Sequence, residues 1–347
     1  MTAAMSAPAS APTAIRWYHS PVSREDLRDL LRRDNRLAWA QTLGFLLLMV
    51  FTGGAVLAAG FTGVWWAVPL LLLVHGTCTH FLINAVHELG HETVFSSRWL
   101  NRFFAALFAF PGWINHLHFD ASHSRHHRYT LHQPDDLEVV VPIRLTLADF
   151  LRIAVFDAKH PWEEFSKALR YARGGFIGPW NATIFPSDKP DDRVPVVRWA
   201  RCLIAGHLLI LAAAVALAWF HHLAWLLLPL VVSFPNMWGG WLQWLCNNPQ
   251  HAGMEDRVPD ARRCCRTILL NPALQFLYWH MNYHIEHHMF AAVPCYHLGR
   301  LHRLIRSDLP ACPVGLVATW REILAIQLRQ QADPLWRPQV ILPAATV

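Results

Sequence analysis

The sequence predicts an all-α integral membrane fold with four transmembrane helices in two hairpins and a cytoplasmic helical cap that holds a histidine-rich dinuclear metal site. Hydrophobic residues make up 54% of the 347 residues and charged residues only 16%, which leaves too little polar surface for a soluble globule of this size. In addition, two long stretches lack any Asp, Glu, Lys or Arg, and three short segments are dense in histidine.

The two charge-free stretches run from Leu37 to His87 and from Cys202 to Met254. One bilayer-spanning helix needs about 20 residues, so each stretch has room for two helices and a turn. A buried hairpin inside a large soluble core is the alternative, and the absence of charge over such lengths argues against it. We therefore place the four spans at 39–61, 64–84, 201–220 and 223–245.

The basic residues predict the orientation. All 30 Lys and Arg lie before residue 37, between 98 and 201, or after 256, and neither predicted hairpin turn carries one. The positive-inside rule therefore places both termini and the predicted cap, residues 85–200 and 246–347, on the cytoplasmic side. Basic loops against an anionic leaflet explain the net charge of +6 without a nucleic acid partner.

We expect one membrane domain over 16–347, preceded by a disordered tail. The first fifteen residues are rich in Ala, Pro and Ser and carry no charge. The seven cysteines show no CxxC spacing, and the adjacent Cys264 and Cys265 are interpreted as packing residues rather than metal ligands.

Three histidine motifs lie outside the predicted spans and on one predicted side. They are HELGH, with His87 and His91; HSRHH, with His123, His126 and His127; and HIEHH, with His284, His287 and His288. Positions i, i+3 and i+4 of a helix share one face, so each motif directs its imidazoles one way. Imidazole suits zinc, copper, iron and nickel, and eight imidazoles are too many for one tetrahedral ion, so we expect two ions. Histidines that serve only packing are the alternative, but packing alone does not predict three such motifs.

A further motif, NNPQHAG, follows the fourth predicted span and holds Asn247 and His251 four residues apart. Like HELGH, it emerges at the predicted cytoplasmic end of the second helix of a hairpin. A metal centre there would lie under the cap, within a turn or two of the bilayer surface. Most other histidines are interpreted as structural, with His280 kept as a neighbour of the third motif.

These motifs, in this order and between two hydrophobic hairpins, resemble the integral-membrane fatty-acid desaturase/hydroxylase superfamily from about residue 37 to about residue 310. The segments HELGHETVF, SHSRHHRYTLHQPDDLEVVVP and YWHMNYHIEHHMFAAVPCYHL look like that superfamily's flanking sequence, and the first two look especially similar to its sphingolipid-desaturase branch. The resemblance implies a four-span fold and a di-iron centre held almost entirely by histidine. The implied ligands are His87, His91, His123, His126, His127, His251, His284, His287, His288 and, through water, Asn247.

The resemblance also implies the chemistry. No side-chain acid or base can remove hydrogen from an unactivated methylene, so its removal requires an oxidant made from O₂. We expect an O₂-dependent di-iron oxidoreductase that desaturates an acyl or lipid-like chain, and hydroxylation is the alternative that the same ligands allow. A small non-lipid substrate stays open as well.

No nucleotide fingerprint appears, so electrons are expected from a separate ferredoxin or cytochrome b5-like donor. The basic residues of the cap either dock such a donor or reflect only the positive-inside charge. Those considered for docking are Arg125, Arg128, Arg262, Arg263 and Arg266.

Carboxylates in or behind the motifs should orient the ligating imidazoles through the free ring N–H; the candidates are Glu88, Asp135, Asp136 and Glu286. HELGH also satisfies HExxH, in which Glu88 would be the general base of an intramembrane zinc protease. Such proteases add a distant Asp in an LDG-type motif, and this sequence contains no Asp-Gly. A metal transporter would place its ligands at mid-membrane, not outside the spans.

Overall fold

The computed structural model describes residues 14–343, which form helices and contain no strand, as the sequence predicted. Most of the predicted tail, residues 1–13, lies outside the described residues. The α-helices are α1 (Arg24–Leu30), α2 (Asn35–Phe61), α3 (Val68–Thr79), α4 (Leu82–Gly90), α5 (Arg98–Ala109), α6 (His116–Tyr129), α7 (Leu147–Val155), α8 (Lys159–Ala172), α9 (Pro179–Ile184), α10 (Arg193–Phe220), α11 (Leu228–Val232), α12 (Trp241–Asn247), α13 (Ala261–Cys264), α14 (Pro272–Leu277), α15 (His284–Met289), α16 (Leu298–Ile305) and α17 (Gly315–Ala332).

Short 3₁₀ turns join several of these helices. They lie at Trp65–Ala67, Pro190–Asp192, Leu223–Leu227, Pro235–Met237, Asn248–Gln250, Cys295–His297 and Arg306–Asp308. The only β-type pairings among residues 14–343 are two isolated bridges, Phe156 with Trp238 and Leu269 with Val314.

Three helical segments in the described part of the chain are long and apolar enough to cross a membrane: Asn35–Phe61, Trp65–Gly90 and Pro190–Phe220. The first begins at Asp34, whose carboxylate accepts hydrogen bonds from the backbone N–H groups of Arg36 and Leu37. Large apolar side chains such as Phe51 and Leu209 remain exposed along these segments. Exposure on this scale is expected of surfaces that face lipid.

The predicted fourth span is not a continuous helix. Residues 223–245 form a 3₁₀ turn, the short α11, a second 3₁₀ turn and the start of α12. Pro229, Pro235, Gly239 and Gly240 explain the interruptions, because proline removes a backbone donor and glycine weakens a helix. The apolar helix that remains, Leu223–Val232, is shorter than the other three. The structure therefore does not confirm the predicted fourth transmembrane helix over 223–245.

Other elements satisfy the backbone groups that this interruption frees. The indole of Trp113 donates to the carbonyl of Ser233 at 2.7 Å. The end of α7 pairs with the same region: Gly239 N–H donates to Val155 O at 3.2 Å, and Gly240 N–H donates to Ile153 O at 3.0 Å. We call the residues 233–240 the broken segment.

Two glycines allow the broken segment to lie against α3. A Cβ on Gly76 would lie 2.1 Å from the carbonyl oxygen of Trp238, so only glycine permits this approach. Gly239 has a φ of +64°, and a Cβ there would lie 2.4 Å from Leu73 O. These contacts bring the broken segment beside the end of α3, just before the first histidine motif.

The main hydrophobic core lies beneath the histidine motifs. It includes Val86 and Leu89 from α4, Tyr278 and Trp279 from the turn after α14, and Ile285 from α15, all almost fully buried. A smaller cluster, with Val56, Leu72 and Leu227, joins α2 to its neighbours within the apolar segments. The helices that carry the histidine motifs thus pack against buried apolar side chains.

Candidate metal centre

The first motif lies at the end of α4. His87 belongs to the last turn of this helix and His91 follows it as the C-cap residue, and their ring centroids are 4.9 Å apart. Val86 and Leu89 are buried on the opposite side. The amphipathic pattern of α4 therefore turns both imidazoles toward the centre of the molecule.

The second and third motifs lie on α6 and α15, as the i, i+3, i+4 spacing predicted. Asn115 caps α6 by accepting a hydrogen bond from the backbone N–H of His118, which sets the start of this helix. The rings of His123 and His127 are 4.5 Å apart, one turn along α6. Since α15 is short, its packing on Thr267 and the main core fixes its direction.

These helices assemble two groups of side chains that could each hold a metal ion. The first group, the five-histidine cluster, consists of His87, His91, His123, His127 and His287, each with one ligand atom within 4.8 Å of the others. The second group, the mixed cluster, satisfies the same limit and consists of His251, Cys265, His284 and His288. The two clusters are adjacent, since His287 and His288 are consecutive residues of α15.

His126 borders the mixed cluster without meeting its distance limit. Its ring centroid lies 5.1 Å from that of His251 and 5.0 Å from that of His288. Asn247 ends α12, four residues before His251, and its Oδ1 atom lies 3.5 Å from the hydroxyl of Tyr278, which donates to the Cys246 carbonyl. Nine of the ten residues that the resemblance implies as ligands therefore lie in or beside the two clusters, and the described contacts of Asn247 do not reach either cluster.

Carboxylates hold the outward nitrogen of three imidazoles. The Nδ1–H of His87 donates to Glu88 at 3.0 Å, and that of His126 donates to Asp136 at 2.8 Å. The Nδ1–H of His123 donates to Glu138 at 2.7 Å, a contact that sequence reasoning missed. Such contacts fix the tautomer and leave Nε2 of each ring as a bare lone pair.

Neutral oxygens hold two further rings. The Nδ1–H of His251 donates to the carbonyl of Cys264 at 2.8 Å. The hydroxyl of Thr130 donates its hydrogen to the carbonyl of His126, so the Nδ1–H of His288 donates to this hydroxyl at 3.1 Å. Both rings therefore also present Nε2 toward the clusters.

The inward nitrogens fit a bound metal. The Nε2 atoms of His87, His91, His123 and His288 are buried and have no hydrogen-bond partner among the described residues. In two further pairs of histidines, the Nε2 atoms lie close to one another. The Nε2–Nε2 distance is 3.0 Å between His127 and His287 and 2.9 Å between His251 and His284. Buried polar atoms normally have partners, and cations would satisfy these lone pairs.

Burial keeps most of these rings neutral. It lowers the pKa of His91 to about 4 and that of His251 to about 3, and it lowers the pKa of His123, His127 and His288 well below the ordinary value. For His126, burial acts in the same direction, but the hydrogen bond to Asp136 outweighs it and raises the pKa. Neutral imidazole is the form that binds metal, so these ligands need not release a proton first.

Several predicted neighbours lie elsewhere. Asp135 does not touch an imidazole of the motifs but pairs with Arg125 at 2.8 Å. Glu286 contacts His302 and Thr267 instead of a motif histidine. His280 belongs to neither cluster and lies in a left-handed turn with a φ of +59°. Sequence spacing could not distinguish these acids from Glu138, because all of them sit in or next to a motif.

Most of the arginines considered for docking an electron donor form ion pairs with Asp or Glu of the protein itself. Arg262 is buried between Asp260 and Asp308, and Arg266 is buried beside Glu322. Arg263 pairs with Glu255. Among the five arginines considered for docking, only the side chain of Arg128 is exposed. These contacts give most of the basic residues a structural role.

A comparison with protein families identifies the chain. The family model described as Fatty acid desaturase matches residues 63–320, which include every residue of both clusters. A search of curated proteins found no match. The chain belongs to the fatty acid desaturase family, and it is accordingly an integral membrane oxidoreductase of the desaturase/hydroxylase superfamily. No comparison supports the more specific resemblance to sphingolipid desaturases.

Proposed function

We propose that this member of the fatty acid desaturase family uses O₂ and two histidine-bound irons to introduce a double bond into an acyl or lipid-like chain. One observation carries the proposal: the imidazoles of two adjacent clusters point Nε2 inward, while outer oxygens hold Nδ1 of five of the contributing rings. This arrangement is typical of metal-ligating histidine and serves no packing purpose.

The five-histidine cluster would hold one iron. The mixed cluster together with His126 would hold the other, with Asn247 bound through water as the resemblance implies. When bound, the two irons would supply the O₂-derived oxidant that removes hydrogen from an unactivated methylene. Desaturation then consumes one O₂, two electrons and two protons, removes two hydrogens from the substrate, and releases two waters. We propose that a separate ferredoxin or cytochrome b5-like protein supplies the electrons.

The protein's own groups would orient and shield the site. Glu88, Asp136 and Glu138 hold three ligand rings by charge-assisted hydrogen bonds, which fix both ring direction and tautomer. His126 and His287 are almost fully buried, so bulk water has little access to the site. A shielded site limits side reactions of a strong oxidant.

The competing zinc protease is disfavoured by the position of Glu88. Its carboxylate accepts a hydrogen bond from His87 at 3.0 Å, lies 3.7 Å from Nδ1 of His287, and is 1% exposed. A general base must reach a water or substrate, and this carboxylate is already used to orient ligands. Hydroxylation stays as the alternative within the superfamily, since both reactions use the same ligands.

We further propose that the metal centre and both termini face the cytoplasm. No Lys or Arg lies at residues 37–97 or 202–256, and the basic residues fall in the remaining parts of the chain, which carry the second and third histidine motifs. The positive-inside rule then assigns that side.

The first test is the metal content of protein purified in mild detergent from iron-supplemented cells. We expect about two irons per chain, together with new double bonds in the lipids of expressing cells. New hydroxyl groups in place of double bonds would support the hydroxylase. One zinc per chain with no iron, and no oxidised lipid in cells that express the folded protein, would contradict the proposal.

A further inference from the structure

A cavity with a volume of about 610 Å³ lies beside the five-histidine cluster. This volume falls within the range of about 300–1,000 Å³ that is typical of small-molecule sites. The cavity is bounded by the start of α4, the loop before α6, helices α6, α7 and α8, and the broken segment. It therefore lies where the apolar segments meet the rest of the protein.

One wall of the cavity touches the candidate metal ligands. Phe119 lines it and stacks on the His123 ring, with centroids 5.2 Å apart and planes 5° apart. Glu138 also lines the cavity while it holds Nδ1 of the same ring. With Ile83 and Leu137, these residues give the wall nearest the metal centre a mainly apolar character. This wall suits a hydrocarbon chain.

The remaining wall carries fixed charges, and each cation among them is already neutralised. Arg152 and Lys167 are the only Lys or Arg residues that line the cavity. Arg152 pairs with Asp157 at 2.5 Å, and Asp157 is buried. Lys167 pairs with Glu164 at 2.6 Å. No unpaired cation is left to bind a phosphate, which normally requires Arg, Lys or a cluster of backbone N–H groups.

The carboxylates of the cavity are partnered as well. Asp157 and Glu164 hold the two cations just named, and Glu138 holds Ser122 and His123. Glu163 faces Lys159 at 3.5 Å. A ligand with a fixed positive charge would therefore have to displace an existing ion pair.

What the cavity leaves free is neutral hydrogen-bonding capacity. The Oδ1 atom of Asn236, on the broken segment, is buried and has no hydrogen-bond partner among the described residues. Tyr171, His118 and Asn181 are uncharged and already bonded to one another, with Nε2 of His118 2.9 Å from both the Tyr171 hydroxyl and Oδ1 of Asn181, and burial lowers the pKa of His118. An amide or hydroxyl group of a ligand could donate to Asn236, which would satisfy the unpaired oxygen.

We propose that this cavity binds a substrate with an uncharged, hydrogen-bonding headgroup, such as a hydroxyl or a carboxamide, on a hydrocarbon chain that runs toward His123. The inference rests on the proposed function, since it names the substrate class of the same site. It excludes carriers that present several phosphates, because the cavity offers them paired cations and an excess of carboxylates.

The experiment measures binding without turnover. Full-length protein in nanodiscs is exposed to three photoreactive probes with the same dodecyl chain, which end in an ethanolamide, a coenzyme A thioester or a primary amine. Crosslinks are mapped by mass spectrometry, and each unlabelled probe competes with the labelled ones. We expect the ethanolamide to crosslink to residues of the cavity and to compete at least tenfold better than either charged probe.

Two variants make the test specific. Asn236→Leu keeps the side-chain volume and removes the unpaired oxygen, so we expect about a tenfold loss of ethanolamide affinity. Gln331→Leu makes a comparable change on the exposed end of α17 and should leave the affinity unchanged. Stronger binding of the thioester or the amine, or no loss in Asn236→Leu, would overturn the inference. Since binding is measured without iron or O₂, failure of the proposed oxidation would leave this result interpretable.

Discussion

The two clusters differ in the groups that accept hydrogen bonds from the outward Nδ1–H of their imidazoles. In the five-histidine cluster, Glu88 and Glu138 hold the outward nitrogens of His87 and His123. Members of the mixed cluster rely on neutral oxygens, the carbonyl of Cys264 and the hydroxyl of Thr130, and a carboxylate reaches this side only through His126 and Asp136. A carboxylate raises the basicity of the ring that it holds. We infer that the two metal positions are unequal, with the tighter one in the five-histidine cluster.

The largest effects should come from removing one ligand from each side. His287→Ala would leave four imidazoles in the five-histidine cluster, whereas His288→Ala would leave two imidazoles and one thiol in the mixed cluster. Both variants should fall below about 1% of wild-type turnover, because two-metal chemistry needs both positions. His288→Ala should lose more metal. Product analysis and metal content on folded protein in the same detergent would test this, and equal metal loss would contradict the inequality.

A smaller effect is expected from the carboxylates. Glu138→Gln keeps the size of the side chain but removes the charge that holds His123, so metal affinity should fall by about 10- to 100-fold. Asp135→Asn is the matched control, because Asp135 pairs with Arg125 and touches no cluster histidine. Affinity is measured by competition with a chromophoric chelator. An equal decrease in the two variants would show that charge near α6, and not the hydrogen bond, is responsible.

The smallest effect should come from Cys265→Ser. The sequence indicated packing for this residue, yet its sulfur lies among the ligand atoms of the mixed cluster. Burial raises the pKa of its thiol well above the ordinary value, which disfavours the thiolate that binds metal. We therefore expect unchanged metal content. Cobalt-substituted protein provides the check, since an intense sulfur-to-cobalt absorption band that disappears in Cys265→Ser would make the thiol a ligand.

The histidine motifs could be predicted from the sequence because histidines that share one face of a helix recur at a fixed spacing along the chain. His123, His126 and His127 lie on one helix, and the spacing alone predicts their common direction. Glu138 was missed because it lies in an irregular loop after α6, where no periodicity indicates which of the three nearby acids accept a hydrogen bond from a histidine of that helix. Only the folded path of that loop separates Glu138 from Asp135.

The broken segment was missed for a different reason. Averaged hydropathy treats residues 223–245 as one apolar run, although Pro235, Gly239 and Gly240 already signal an interruption. What the sequence could not show is where the freed backbone groups find partners. Those partners come from α7 and from Trp113, which are distant along the chain.

The pairing of Gly239 and Gly240 with α7 has a consequence for protein engineering. This seam closes one side of the cavity through main-chain hydrogen bonds, to the carbonyls of Val155 and Ile153. Because such bonds do not depend on side-chain identity, a library that varies Ile153 can reshape the binding space while the seam persists. With this cavity as the proposed substrate site, we expect substitutions at Ile153 to change the substrate range without loss of the fold. Gly240→Pro would remove the donor to the Ile153 carbonyl and should disrupt this pairing.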